Sequence, residues 1–345
     1  MAPEELKLFT HQMINWLSNS EICSEDGAVY SWTNSDKPGY IYFEIIGYYV
    51  KTFSYLYLLY NEPKYLEKAI TSADYLSENL NEDGSVGREE FKYVFDTAIC
   101  FSGLIALSKV SELSDSHKNA MKKMIEFIYN SLQKKELVYD KQDLAIFDKT
   151  RWSLSYGSLL IKNTMALIEA AEYFNDEKYK VLAESLTNEI MGAFKENYFT
   201  INKEQDYVYT HPHCYATEGL IFLTSKGYSQ YNEPIQLSAE WLAKQQNKDG
   251  SLYNWYFKEN VELEKQGDAT SQAIRIWLFA DSEKYKENIL LGTSFLRKLQ
   301  HQFEGLVYNM KLSGETSSDV NSWVTMFALQ SVLWQYEKPN PGWIV

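Results

Sequence analysis

The chain has 345 residues with 33 Lys+Arg against 47 Asp+Glu, a formal charge of −14, and 45% of its residues are hydrophobic. An acidic surface of this size repels phosphate backbones and anionic lipid, and no local basic patch offsets it, which argues against nucleic-acid and membrane partners. The length allows one large domain or two ordinary ones, and 27 Tyr, 17 Phe and 9 Trp stand out against 7 Pro and 16 Gly.

The first segment, MAPEELKLFTHQMINWL, carries acids where a signal peptide needs a basic start, and no stretch reaches the roughly 18 apolar residues of a membrane span. Cys23, Cys100 and Cys214 form an odd set without CxxC spacing, which fits reduced thiols. A cytoplasmic protein is expected.

In chain order, helical segments of two kinds alternate. An amphipathic stretch at 4–19 precedes a strongly apolar one at 40–60, followed by 63–80 and 96–110, 116–133 and 153–174, 177–195 and 213–225, 234–247 and 268–280, and finally 283–300 and 320–336. In 63–80, Tyr65, Leu66, Ala69, Ile70, Ala73 and Leu76 share one face, while Lys64, Glu67, Lys68 and Asp74 point away. The apolar segments start at intervals of roughly 52 to 60 residues, the mark of an internal repeat. A helix apolar on most sides is buried, whereas an amphipathic one covers it from outside. Six of each predict an all-α (α/α)6 toroid, an inner ring within an outer ring, as a single domain over 1–345. The rival arrangement is a solenoid of helical hairpins that never closes. Connectors such as DGAVYSW (26–32), DGSVG (83–87), DGSLYNW (249–255) and EGLVYNM (304–310) carry turn signals, with small strands or hairpins expected on one rim.

That topology predicts where chemistry sits. All six inner helices start at one end, so Tyr40 and Glu44, Asp96, Arg151 with Trp152 and Tyr156, His211 with His213, Tyr215 and Glu218, Asp268 with Gln272 and Arg275, and Asn321 with Trp323 converge on one cavity. Helix N-termini aimed there favour an anionic or hydroxyl-rich ligand. Asp96, Asp268 and Asp319 stand where N-caps stand, so capping is the competing explanation for them. Glu44 and Glu218 fall inside apolar helix sequence, where a carboxylate needs a partner. In THPHCYATEGL (210–220), imidazoles at His211 and His213 suit proton transfer near neutral pH. Zinc is the rival use of His211, His213 and Cys214, but no second ligand pair stands at a fixed spacing, so neither metal nor cofactor is expected. Rim aromatics including Trp255, with Tyr40, Trp152, Tyr156 and Trp323 at the inner starts, suit a sugar chain. The same rings could also hold a carbocation.

The order FDTAICFSGLIAL (95–107), WSLSYGSLLIKNTMALIEAAEYF (152–174), THPHCYATEGLIFL (210–223), GDATSQAIRIWL (267–278) and NSWVTMFALQSVL (321–333) resembles the six-hairpin toroid proteins of polysaccharide biosynthesis, glycosidase and uronate processing. More distantly, the DGS turns resemble the repeats of terpenoid cyclases and protein prenyltransferases, but the DxDD acid motif of the cyclases is missing. The resemblance implies a carbohydrate-active enzyme acting on a glycosidic linkage of an oligosaccharide. In a glycoside hydrolase-like mechanism the acid/base pair comes from Asp96, Glu218 and Asp268. In a uronate lyase or epimerase, His213 or Tyr215 moves the proton and Arg275 or Asn321 neutralises the carboxylate. Further alternatives are terpene-cyclase-like chemistry and a non-catalytic toroid that binds a saccharide or protein. Sequence leaves the oligomeric state open.

Overall fold

The computed structural model describes residues 2–33, 37, 39–145, 152–302 and 304–345. Among them are twelve α-helices: α1 (Pro3–Leu17), α2 (Phe43–Tyr60), α3 (Pro63–Glu78), α4 (Val94–Ser108), α5 (Asp115–Lys134), α6 (Thr164–Phe174), α7 (Glu177–Ile190), α8 (Thr210–Ser225), α9 (Asn232–Gln245), α10 (Gly267–Asp281), α11 (Lys286–Lys298) and α12 (Ser322–Leu333). The expected alternation is present. Helix α4 is buried from Val94 to Leu107 apart from Phe95, whereas α3 buries only the stripe Tyr65, Ala69, Ser72, Ala73 and Leu76.

The even-numbered helices form the inner ring. Each packs on the next in the order α2, α4, α6, α8, α10, α12, and α12 packs back on α2. Outer helices α3, α5, α7, α9 and α11 each lie against the inner helix before them in the chain, and α1 covers α12. The ring is closed, so the open solenoid is excluded and the fold is an (α/α)6 toroid. Sharp reversals join inner to outer helices. Asn61 and Asn175 end α2 and α6 in the left-handed region at φ 54° and 52°, which asparagine tolerates better than most residues. Pro63 and the Asp176 cap then start α3 and α7.

One element departs from expectation. The segment 153–174 is not one helix: two short 3₁₀ turns, Trp152–Leu154 and Ser158–Ile161, precede α6. Gly157 is extended, and the Ser158 N–H donates to the Ile201 carbonyl at 2.8 Å instead of to its own helix. A Cβ at 157 would lie 1.9 Å from that carbonyl oxygen, so glycine permits the close approach that interrupts the helix.

Short antiparallel strands gather where the inner helices begin: β1 (Trp32–Thr33), β2 (Val86–Arg88), β3 (Phe91–Tyr93), β4 (Val138–Asp140), β5 (Val208–Tyr209), β6 (Leu252–Tyr253), β7 (Trp255–Tyr256), β8 (Glu264–Gln266), β9 (Leu306–Val307), β10 (Asn309–Lys311) and β11 (Val320–Asn321). The sheet β1-β11-β9 pairs Trp32 with Asn321, so the first and last rim segments are stitched together where the ring closes. In the DG turn after α9, Gly250 has φ +93°, and a Cβ there would lie 1.9 Å from the Leu291 carbonyl oxygen of α11. Gly250→Ala is therefore expected to destabilise the chain by roughly 2 kcal/mol or more, from left-handed strain and backbone collision together, read as a shifted urea midpoint.

The far end of the bore is filled. Trp343, Ile344 and Val345 are buried, Trp343 packs 5.2 Å from the Tyr55 ring, and its carbonyl accepts from Gln330 Nε2 at 2.7 Å. Access is left to the end where the strands lie. Among the described residues, no helix is long and apolar enough to cross a membrane.

Candidate active site

A cavity of about 210 Å³ opens at the end where the inner helices start. All six inner starts reach it: Tyr40 and Glu44 at α2, Asp96 in α4, Trp152 before α6, His211 and Tyr215 in α8, Asp268 in α10 and Trp323 in α12 all line its wall. The ring order sets their relative positions. Helices α4 and α10 are three steps apart in a ring of six, as are α2 and α8, so Asp96 faces Asp268 and Glu44 faces His211 across the bore.

The capping explanation does not account for the acids. Tyr93 and Gln266 occupy the N-cap positions of α4 and α10 without side-chain caps, which places Asp96 and Asp268 inside the first turns, while Asn321 rather than Asp319 caps α12 by accepting from the Val324 N–H at 3.0 Å. Asp268 Oδ1 accepts from the Ala269 N–H at 2.7 Å, and its other oxygen lies 3.7 Å from His211 Nδ1.

Burial separates the titrating groups into two kinds. Burial, reinforced by the charge of Glu44 and opposed by Arg88, pushes the Asp96 carboxyl well above the usual carboxylate range. Glu44 is raised by burial as well, against hydrogen bonds from Tyr42, Tyr48 and Tyr215. His211 moves the opposite way: burial lowers it despite the opposing charge of Asp268, so its imidazole is neutral at neutral pH. Tyr215 stays a phenol, raised by burial, with its hydroxyl 2.9 Å from that of Tyr48 and 3.4 Å from Glu44 Oε1.

Behind this wall lies a fully buried charged cluster. Glu218 Oε1 meets Arg275 Nη2 at 2.6 Å, and Glu218 Oε2 accepts from Lys162 Nζ at 2.9 Å and Gln272 Nε2 at 3.2 Å. Burial alone would raise this acid, but the two cations outweigh it and hold Glu218 below its ordinary value. Lys162 is lowered to about 8 by the same burial. Arg275 Nη1 also donates to Gln330 Oε1 at 3.0 Å, and its guanidinium lies 4.5 Å above the Phe327 ring.

The placements correct several expectations. Glu218, Gln272 and Arg275 do not line the cavity; they pair with one another behind it. His213 does not reach it either: its Nδ1 accepts from the Phe199 N–H at 3.0 Å, its ring stands 4.8 Å from Trp241, and burial pushes it down to about 3. Two residues on in a helix turns a side chain by about 200°, which is why His211 faces the bore and His213 the outer layer. Asn321 is spent on its cap, and Tyr156 donates to Glu189 Oε2 at 3.1 Å in a separate depression beside Lys135. Trp255 sits on the rim against Tyr209, ring centroids 4.2 Å apart, and Tyr209 stacks on Trp152 at 5.1 Å. Arg151 lies outside the described residues. No three His, Cys, Asp or Glu side chains gather as a metal site among the described residues.

Arg88 in β2 carries no sequence signal for the site, yet it reaches the cavity with its guanidinium 4.4 Å above the Tyr40 ring; Tyr42, Tyr93 and Phe95 join the expected rim aromatic Tyr308 in the lining.

No family model matches the sequence, and no curated protein matches it. Solved structures do resemble it: a sugar epimerase from a ruminal bacterium, with a TM-score of 0.80, 12% identity and coverage of 98% of this chain and 100% of that one, and a D-mannose isomerase, with 0.76, 12%, 97% and 98%. An unsaturated glucuronyl hydrolase specific for heparin follows at a TM-score of 0.69, 12% identity, 95% of this chain and 96% of that one. At such identities the likeness speaks to architecture, and together with the closed double ring it identifies the chain as a six-hairpin (α/α)6 toroid.

Proposed function

We propose that the cavity is the active site of a carbohydrate-active enzyme that breaks a glycosidic linkage of an oligosaccharide by acid/base chemistry, the chain working as one toroid domain. The carrying observation is the separation of acid and base. Asp96, a carboxyl whose ionisation is pushed well above the usual range, stands across the bore from Asp268 and shares the cavity wall with the neutral imidazole of His211. Groups whose surroundings drive their titrations apart are the ones suited to opposite proton-transfer roles. Asp96 protonates the leaving oxygen, while His211 and Asp268 activate water on the other face of the sugar. Trp152, Tyr40, Tyr308 and Trp323 supply flat faces for the C–H surfaces of the ring. The similar solved proteins act on sugars, which supports the substrate class. Three free, buried cysteines suit a reducing cytoplasm, where short oligosaccharides are the accessible substrates.

A second reading, lyase or epimerase, is favoured by one observation: the His211 and Tyr215 rings lie 4.2 Å apart in a cavity that also holds Arg88, so an imidazole base, a phenol acid and a carboxylate-binding cation share one wall system. Neither a dry pocket with one isolated acid nor a set of solvent-facing caps fits three carboxyls directed inward.

Incubation with a panel of neutral and uronate-bearing oligosaccharides separates these readings. Hydrolysis releases reducing ends without new ultraviolet absorbance, elimination produces an absorbing unsaturated uronate, and epimerisation exchanges a carbon-bound hydrogen with solvent deuterium. Reducing ends alone are expected, and no turnover across the panel would sink the enzyme assignment.

A further inference from the structure

Among the polar residues that do not touch the cavity, Gln272 has a particular position. It bridges the buried cluster to His211: its Nε2 donates to Glu218 Oε2 at 3.2 Å, and its Oε1 lies 2.6 Å from His211 Nδ1. We infer that Gln272 is a positioning residue that fixes the tautomer of His211, holding the proton on Nδ1 and leaving Nε2 as the lone pair presented to the cavity. The inference rests on the reading of His211 as the base.

The direction of the amide decides the tautomer, and Glu218 decides the direction of the amide. Glu218 is clamped by two cations, Arg275 at 2.6 Å and Lys162 at 2.9 Å, so it is an acceptor. Turning the Gln272 amide over would press Oε1 against a carboxylate oxygen, which is repulsive between two fully buried groups. The donor end of the amide therefore faces Glu218, and the oxygen faces His211. An amide oxygen only accepts, so Nδ1 must donate. Asp268 Oδ2, 3.7 Å from the same nitrogen, is beyond hydrogen-bond distance, so Gln272 Oε1 is the group that takes the Nδ1 proton. Nδ1 is thereby occupied on the buried side, and Nε2 is the nitrogen left for the cavity that His211 lines. A general base needs its lone pair at the reacting proton, and a ring with its N–H turned that way has none to offer.

The test reads the tautomer directly. In protein carrying isotope-labelled histidine, the His211 ring is expected to show a protonated Nδ1 and a bare Nε2 in its nitrogen NMR shifts, with His211→Gln giving the assignment. Gln272→Met, which keeps the length of the side chain without its polar atoms, is expected to raise the Nε2–H form to a major population. It should also lower kcat on the order of 10²-fold with KM little changed. Gln272→Glu, held as the acid so that its O–H donates to Glu218 while its other oxygen accepts from Nδ1, should retain the native tautomer. An Nε2–H ring in the unaltered protein, or an unchanged tautomer in Gln272→Met, would overturn the inference. Should Gln272→Met fail to fold, the unaltered protein alone still decides on the tautomer, and Gln272→Glu on the residue. A native tautomer in a protein that turns over no saccharide would count against the enzyme reading and leave this one standing.

Discussion

Asp96→Asn is expected to lower turnover by about 10²- to 10⁴-fold while leaving substrate affinity nearly unchanged, because asparagine keeps the shape of the acid and removes its proton. The pH profile carries the sharper signature. The base must be neutral, so activity rises with pH through the value of His211, which burial has lowered below the ordinary imidazole range. The acid must be protonated, so activity falls only when Asp96 ionises, and burial with the neighbouring Glu44 places that step well above the usual carboxylate range. The result is a bell with its acidic limb below the ordinary imidazole range and its alkaline limb well above the ordinary carboxylate range. In Asp96→Asn the alkaline limb should vanish and the acidic limb remain. A variant with full activity, or with the bell intact, would remove Asp96 from the mechanism.

Glu218→Ala is expected to be the most damaging single change to stability, by roughly 3–5 kcal/mol, because it leaves Arg275 and Lys162 buried with one counter-charge fewer. Glu218→Gln keeps the shape and a hydrogen-bond acceptor for Lys162, and should lose less. The acid is held below its ordinary value in the folded protein. Its contribution is therefore complete above the unfolded-state value and is lost as the pH falls through the lower folded-state value. Urea unfolding at neutral and acidic pH checks both points: the gap between the native protein and Glu218→Gln should be widest near neutrality and close in acid. A gap independent of pH would show that the carboxylate form is not what stabilises the fold.

The fold was legible because its driving force is periodic. A buried helix such as α4 and a covering helix such as α3 differ in how far their apolar residues wrap around, and that difference is written residue by residue. The break before α6 was not, since it depends on Gly157 meeting the Ile201 carbonyl, a partner more than forty residues away in sequence. The site was legible in its main outline for the same reason, because residues at the inner starts had only one place to converge. Depth was harder to read. Glu218 lies two helical turns beyond His211 and faces cations from α10 and the 3₁₀ segment, so a carboxylate suited to catalysis by composition sits behind the wall. Arg88 gave no signal at all. It lies in GREEFKY, a charged stretch that reads as surface, and reaches the cavity only because β2 and β3 fold that stretch over the mouth.

The closed ring has a consequence for how the molecule comes apart. A linear array of helical hairpins has end units that contact a neighbour on one side only, and these fray first. Here α12 packs on α2 and strand β11 pairs with β1, so each inner helix has a neighbour on both sides. Losing any one hairpin opens the ring and exposes the inner faces of two others. Opening a unit therefore carries the penalty of an interior break wherever it occurs, which turns a modular sequence into a cooperative object. The same cooperativity keeps six separate wall segments, each from a different hairpin, in register around one cavity.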